Sequence, residues 1–195
     1  MRHPIKNVVS AIAAASLFAL LPTSSAPADP YERVVLQKGD HICLLGNGLA
    51  ERMQHHGWLE ARIQASLPEH QLSFRNLGFS ADELTIQQRT AGFGSWDDYL
   101  RRCKTDVVFG FFGYNESFAG QEGLDKYRAD LAKFIDHTLA QSYDGEGKAR
   151  LVLFSSIPYE DLNDDNLPDP ALLNPRLALY AQATADVARA KRVPY

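Results

Sequence analysis

Two hydrophobic patterns alternate along the chain. Compact apolar runs predict buried strands at 41–45, 106–112 and 150–155, and an alternation of apolar and polar residues predicts another at 71–77. Apolar residues at near-helical spacing predict helices at 49–67, with a break at Gly57, and at 80–89, 96–103, 124–140 and 176–189. A strand followed by a helix, repeated along the chain, predicts a parallel sheet covered by helices on both faces.

The first 28 residues have the pattern of a secretory signal. Arg2 and Lys6 give a basic start, the stretch 8–21 is almost entirely apolar, and Ala26 and Ala28 fit a signal-peptidase site. The sequence therefore predicts a signal peptide at 1–28, a linker at 29–37 and a secreted or periplasmic protein without stable membrane insertion after cleavage. The alternative is an uncleaved membrane anchor.

The remaining chain, 38–195, is predicted to be one domain. Its last residues, 192–195, look like the opening of a fifth strand. We therefore expect the domain to be incomplete at its C-terminus and the sequence to be a fragment of a longer chain.

Composition narrows the classes of partner. The chain has 195 residues, 45% hydrophobic and 23% charged, with a formal net charge of -4. A protein without a basic surface is not expected to bind nucleic acid or an anionic membrane. The two cysteines, Cys43 and Cys103, are too few for a disulfide framework. Two unpaired core thiols are the simplest expectation, and a bridge between them is the alternative after export.

Distinctive polar residues follow three of the predicted strands. These segments are Gly46-Asn47-Gly48-Leu49, 76–80 and Gly113-Tyr114-Asn115-Glu116. Open parallel sheets bind ligands at the carboxyl ends of their strands. Backbone N–H groups at the glycine turns, together with the Asn115 amide, would form a donor cluster suited to an oxyanion.

The order of these segments resembles the sequence blocks of the SGNH (GDSL-like) hydrolase family. The family has Gly-Asp-Ser-Leu after the first strand, Asn-x-Gly after the second and Gly-x-Asn-Asp after the third. The resemblance implies a three-layer α/β/α fold with a flavodoxin-like parallel sheet. It also implies ester hydrolysis by a serine nucleophile, with Gly78 and Asn115 in the oxyanion hole.

The chain departs from the family at the nucleophile. Gly48 stands at the serine position and Asn47 at the aspartate position, and no Asp-x-x-His occurs in the sequence to supply the base. Two substitutes are conceivable. One is a water activated by Asn47 or Glu116 with a histidine beyond the fragment, and the other is a displaced hydroxyl such as Ser80 or Ser117.

Two functions follow from these departures. The first is ester hydrolysis in a diverged SGNH-type domain, acting on a small ester or an acylated carbohydrate. The alternative is a non-catalytic module that binds acylated carbohydrate or cell-wall material. Domains that resemble this one also occur at the front of larger exported multidomain proteins, which is the context that the resemblance implies.

Other motifs are explained more simply as surface features. His55 and His56 with Glu51 are expected on a solvated helix face and not in a metal site. The acidic segment 160–166 lacks the spacing of a calcium loop. The segment 46–48 lacks the third glycine and the lysine of phosphate-binding motifs. We therefore expect no metal and no nucleotide cofactor.

Overall fold

The computed structural model describes residues 33–88 and 90–195. The expected signal peptide and residues 29–32 of the expected linker lie outside these residues. The strands are β1 (His41–Gly46), β2 (Ser73–Asn76), β3 (Val107–Phe111) and β4 (Arg150–Phe154). The α-helices are α1 (Gly48–Arg52), α2 (Trp58–Ser66), α3 (Thr90–Phe93), α4 (Trp96–Arg102), α5 (Leu124–Ala140) and α6 (Pro170–Lys191).

The four strands form one parallel sheet in the order β2-β1-β3-β4. Leu44 in the middle of β1 is paired with Asn76 on one side and Phe109 on the other. The chain order reverses direction between β1 and β3, and such a point opens a crevice at the carboxyl ends of the two strands. The predicted flavodoxin-like parallel sheet is confirmed.

Helices cover both faces of the sheet because β1 and β3 are apolar on both sides. Cys43 and Leu45 of β1 pack in a cluster with residues of α4, α5 and α6, among them Leu100, Leu131 and Tyr180. The other β1 side chains, Ile42 and Leu44, pack in a second cluster with residues of α1 and α2. The domain therefore has the three layers that the sequence predicts.

The two cysteines are free thiols. Cys43 is fully buried, and the Thr105 hydroxyl donates a hydrogen bond of 3.0 Å to its sulfur. Burial raises the pKa of the Cys43 thiol to about 12. Cys103 packs against the edge of the same apolar cluster.

The predicted helix over 80–89 is wrong. Residues 80–88 form turns, and a helix begins only at Thr90. Glu83 and Ile86 exchange backbone hydrogen bonds, and the N–H of Leu84 is bound by the Glu116 carboxylate. These contacts use backbone groups that a helix would have needed for itself. Their partner Glu116 is distant in sequence, which explains why local composition misled the prediction.

The last helix begins earlier than predicted. Asp169 caps it, its carboxylate accepting a hydrogen bond of 2.8 Å from the N–H of Ala171. Pro170 occupies the first turn, where a proline needs no N–H partner, and Pro175 lies inside the helix. The 192–195 segment is not a strand, although the N–H of Leu153 in β4 donates to the carbonyl of Pro194 at 2.9 Å.

Within the residues that the structure describes, no helix is both long enough and apolar enough to cross a membrane.

Candidate active site

A cavity of about 690 Å³ lies at the carboxyl end of the sheet. Segments that follow all four strands contribute to its wall. The wall is largely apolar and contains a few polar side chains. Its residues are Gly48, Leu49, Arg52, Ser80, Tyr114, Ser156, Ile157, Pro158, Tyr159, Glu160, Leu162, Leu167 and Pro168. The cavity therefore occupies the position at which open parallel sheets bind their ligands.

Gly48 forms part of this wall and begins helix α1. A Cβ atom placed on Gly48 would find only the Ser80 Oγ within 4.0 Å, outside its own helix and its chain neighbours. The position at which the family has its serine is therefore open, and a side chain would fit there.

Ser80 and Glu51 form a hydrogen-bonded pair beside this opening. The Ser80 hydroxyl donates to the Glu51 Oε2 at 2.6 Å. Glu51 lies three residues after Gly48 on α1, so the two share one side of the helix. Ala81, next to Ser80, has a φ of 69°, in the left-handed region that non-glycine residues rarely adopt. Such backbone conformations concentrate at functional sites.

Gly78 serves the packing of α1 against β2. A Cβ atom at this position would lie 2.6 Å from the backbone nitrogen of Glu51. The Gly78 N–H donates to the Asn76 Oδ1 at 2.8 Å, and the Asn76 amide donates to the carbonyl of Ala50 at 2.6 Å. The predicted oxyanion role of Gly78 stays a prediction. In that role, the Gly78 N–H would have to break its hydrogen bond to the Asn76 Oδ1.

Asn47 is 1% exposed and does not line the cavity. Its backbone N–H donates to the carbonyl of Phe111 at 3.2 Å, and its carbonyl accepts from Glu51 at 3.0 Å. Its side-chain nitrogen has no hydrogen-bond partner among the described residues. The predicted catalytic role of Asn47 stays a prediction.

Glu116 holds two backbone segments together. One carboxylate oxygen accepts from the N–H of Gly113 at 2.8 Å and the other from the N–H of Leu84 at 3.1 Å. Burial raises the pKa of this carboxyl. Because both oxygens bind backbone N–H groups and neither lines the cavity, Glu116 acts here as a tie between the loops after β2 and β3.

The neighbours of Glu116 are also engaged. The Asn115 amide donates to the carbonyl of Asp82 at 3.4 Å, which is long for such a bond. Ser117 is 4% exposed, and its hydroxyl donates to the carbonyl of Tyr114 at 2.6 Å. A buried hydroxyl in this position does not meet a ligand in the cavity, so Ser117 is a poor candidate for a displaced nucleophile.

The far wall of the cavity is built by the loop after β4. The hydroxyl groups of Tyr159 and Tyr114 are in contact across the cavity edge. Burial and this contact raise the pKa of Tyr159 to about 12. Asn174 of α6 holds the loop in place, since it accepts from the Tyr159 N–H at 2.8 Å and donates to the Tyr159 carbonyl at 3.0 Å.

Of the five residues predicted for the site, the structure places only Gly48 in the cavity wall. Asn47, Gly78, Asn115 and Glu116 are not among the residues that line it. The sequence pattern did not predict a site role for Glu51 as partner of Ser80, or for the loop after β4. The available signal for Glu51 was its spacing from Gly48 on one helix.

The described residues contain no group of three His, Cys, Asp or Glu side chains that could hold a metal ion. His55 and His56 are exposed beyond the end of α1. In the acidic segment, Asp161 and Asp164 accept hydrogen bonds from the backbone two residues later, at 2.9 Å each.

Comparison with known proteins supports a fold. No protein-family model matches the chain, and no curated protein does so. A solved structure from Parabacteroides merdae, described as a GDSL-like lipase, has a TM-score of 0.61 at 14% identity over 83% of this chain and 78% of its own. An acetyl xylan esterase of Geobacillus stearothermophilus has a TM-score of 0.59 at 15% identity over 81% and 76%.

A third structure, an alpha/beta hydrolase enzyme from the Lake Arreo metagenome in Spain, has a TM-score of 0.57 at 15% identity over 80% of this chain and 76% of its own. Likeness at these identities is a likeness of fold. The parallel sheet order, the helices on both faces and these neighbours together show that the chain has the fold of the SGNH (GDSL-like) hydrolases.

Proposed function

We propose that this domain hydrolyses an ester in the cavity at the carboxyl end of the sheet, and that its substrate is an acylated carbohydrate. The observation that carries the proposal is the cavity itself. It lies at the ends of all four strands, with Gly48 and Ser80 in its wall. Its volume of about 690 Å³ suits a small ligand.

The substrate class rests on the neighbours and on the character of the wall. Two structures with this fold are described as acetyl xylan esterases. Apolar groups such as Leu49 and Ile157 would accept an acyl group, and Arg52 and Glu160 offer hydrogen bonds to hydroxyl groups of a sugar. The long hydrogen bond of the Asn115 amide leaves it a candidate donor to the developing oxyanion.

A second candidate function is binding without hydrolysis. The observation in its favour is Gly48, which places no hydroxyl at the position that the family uses for its nucleophile. A cavity that keeps its donors and its apolar wall would still bind an acylated carbohydrate.

Acetate release separates the two functions. The full chain is incubated with an aryl acetate and with acetylated xylo-oligosaccharides, and released acetate is measured. Ester hydrolysis predicts saturable release, lowered about 100-fold in kcat by Asn115→Ala, the cost expected for one oxyanion donor. Gln182→Ala, an amide on the exposed face of α6, is the matched control.

Saturable binding of the oligosaccharide without acetate release would favour the binding module. Release that is unaffected by Asn115→Ala would contradict the proposed donor. The absence of both release and binding would contradict both functions.

We also propose that the protein is exported. The basis is the sequence pattern of residues 1–28. The intact mass of the native protein tests the proposal. A mature chain that begins at Asp29 is the expected result, and a retained Met1 would contradict it.

A further inference from the structure

We propose that Ser80 supplies the nucleophilic hydroxyl of this site and that Glu51 is its general base. The inference rests on the proposed ester hydrolysis and supplies what that function lacks, a nucleophile in a chain with glycine at position 48. We infer it from the position of the Ser80 hydroxyl, from its carboxylate partner, and from the burial and hydrogen bonds of the other hydroxyl groups near the cavity.

The Ser80 hydroxyl lies beside the position where a serine at 48 would place its own. A Cβ atom on Gly48 would be 4.0 Å from the Ser80 Oγ, and a serine Oγ is one covalent bond beyond its Cβ. Ser80 also lines the cavity and is exposed. Its hydroxyl therefore reaches the same part of the cavity from the β2 side that a serine at 48 would reach from the β1 side.

The Glu51 carboxylate is positioned to take the hydroxyl proton. The hydrogen bond from the Ser80 Oγ to the Glu51 Oε2 is 2.6 Å, within the range required of a nucleophile and its base. Glu51 is held on α1, whose backbone is fixed to β2 through the Asn76 amide at 2.6 Å. Helix α1, which carries Glu51, and strand β2, which Ser80 follows in the chain, are therefore joined.

The other hydroxyls near the cavity lack one of these features. Ser117 has its hydroxyl bound to a backbone carbonyl and is buried. Ser156 lines the cavity but has no carboxylate partner among the described residues. The tyrosines 114 and 159 bind each other, and the pKa of Tyr159 is raised, which disfavours a phenolate. Ser80 alone combines access with a base in this part of the chain.

In the first step, the Ser80 Oγ attacks the ester carbonyl carbon while its proton passes to the Glu51 carboxylate. The carbonyl π electrons move to the oxygen, for which the Asn115 amide is the proposed donor. When the intermediate collapses, the bond to the alcohol oxygen breaks and that oxygen takes the proton from Glu51. The products are acyl-Ser80 and the free alcohol.

In the second step, water attacks the acyl-Ser80 carbonyl and gives a proton to Glu51. Collapse breaks the bond to the Ser80 Oγ, which takes that proton back. The sum is ester plus water giving acid plus alcohol, with Ser80 and Glu51 returned to their starting states. No histidine is needed in either step.

Steady-state hydrolysis of an aryl acetate by the full chain tests the pair. Ser80→Ala is expected to lower kcat about 1000-fold or more, since it removes the nucleophile. Glu51→Gln keeps the shape but not the base and is expected to lower kcat about 100-fold or more, with little change in KM. Ser142→Ala, on an exposed loop, is the matched control and should retain full activity. Circular dichroism and the Tm show whether each variant is folded.

The outcomes distinguish failure of the Ser80–Glu51 pair from failure of the proposed hydrolysis. Loss of turnover in folded Ser80→Ala and Glu51→Gln supports the pair. Turnover that survives Ser80→Ala, or that is lost in Ser156→Ala instead, overturns the pair and leaves the proposed hydrolysis standing. A wild-type chain without turnover contradicts the hydrolysis and the pair together.

Discussion

After β3, the side chains of Glu116 and Ser117 bind backbone groups, whereas Glu51 after β1 and Ser80 after β2 bind each other beside the cavity. Glu116 and Ser117 belong to the first region and bind backbone N–H and carbonyl groups. Ser80 and Glu51 belong to the second, where a 2.6 Å bond joins an exposed hydroxyl to a carboxylate.

The difference indicates a division of roles within one edge of the sheet. The β3 end gives rigidity, because its carboxylate and hydroxyl satisfy buried backbone groups. The ends of β1 and β2 border the cavity, where a ligand would fit beside the Ser80 hydroxyl and its partner, the Glu51 carboxylate. Substitutions of Glu116 and Ser117 should therefore change stability, and substitutions of Ser80 and Glu51 should change activity.

The largest expected effect on stability is that of Glu116→Ala. Loss of the carboxylate leaves the N–H groups of Gly113 and Leu84 without acceptors, and both residues are buried. The free energy of unfolding should fall by about 2–4 kcal/mol in urea titrations. Glu51→Ala is the matched control and should lower it by less than about 0.5 kcal/mol. Equal losses for the two would break the contrast between the regions.

Two glycines give the next comparison. Gly113 has a φ of 103°, and a Cβ atom there would lie 2.9 Å from the Tyr127 hydroxyl oxygen. Gly113→Ala should therefore cost about 1–3 kcal/mol of unfolding free energy. Gly48→Ala, at the open position, should change it by less than about 0.5 kcal/mol. Thermal unfolding of both variants measures this, and a large cost at Gly48 would show that the site has no room.

Two serines repeat the comparison with smaller changes. Ser117→Ala removes a buried hydroxyl and its bond to the Tyr114 carbonyl, and should cost about 1 kcal/mol. Ser80→Ala should leave the unfolding free energy within about 0.5 kcal/mol of wild type. Chemical denaturation of both variants measures these changes in unfolding free energy. A loss of stability confined to Ser80→Ala would contradict the roles assigned to the two serines.

The smallest effect concerns pH. Burial raises the pKa of Glu116 above its ordinary value of 4.5, so the folded chain binds this proton more tightly than the unfolded chain. That contribution to stability is complete below pH 4.5 and is lost as pH rises through the raised pKa. The stability of wild type relative to Glu116→Gln should therefore fall between acidic and neutral pH. A relative stability that rises over that range would contradict the sign, and Glu122→Gln is the exposed control.

Much of the fold follows from local pattern. The helix predicted at 124–140 agrees with α5, Leu124–Ala140, because its apolar residues repeat on one face. The break predicted at Gly57 separates α1 from α2. The alternation of strands and helices was sufficient to predict a parallel sheet with both faces covered.

The sequence-based predictions fail where contacts between residues that are distant in sequence determine the local structure. The stretch 80–88 has helical composition, yet Glu116 binds its Leu84 N–H and a turn forms. The loop after β4 becomes a cavity wall because Asn174 holds Tyr159 from α6. A match to the family's third block indicates the position of Glu116 but not that both of its oxygens are engaged by backbone.

Covalent labelling tests whether Ser80 carries the nucleophilic hydroxyl. The full chain is treated with an aryl phosphonate that traps activated serines, and the modified peptide is identified by mass spectrometry. We expect one adduct on Ser80, lost in Glu51→Gln and retained in Ser142→Ala. An adduct on Ser156, or no adduct in a chain that turns over the aryl acetate, would contradict it.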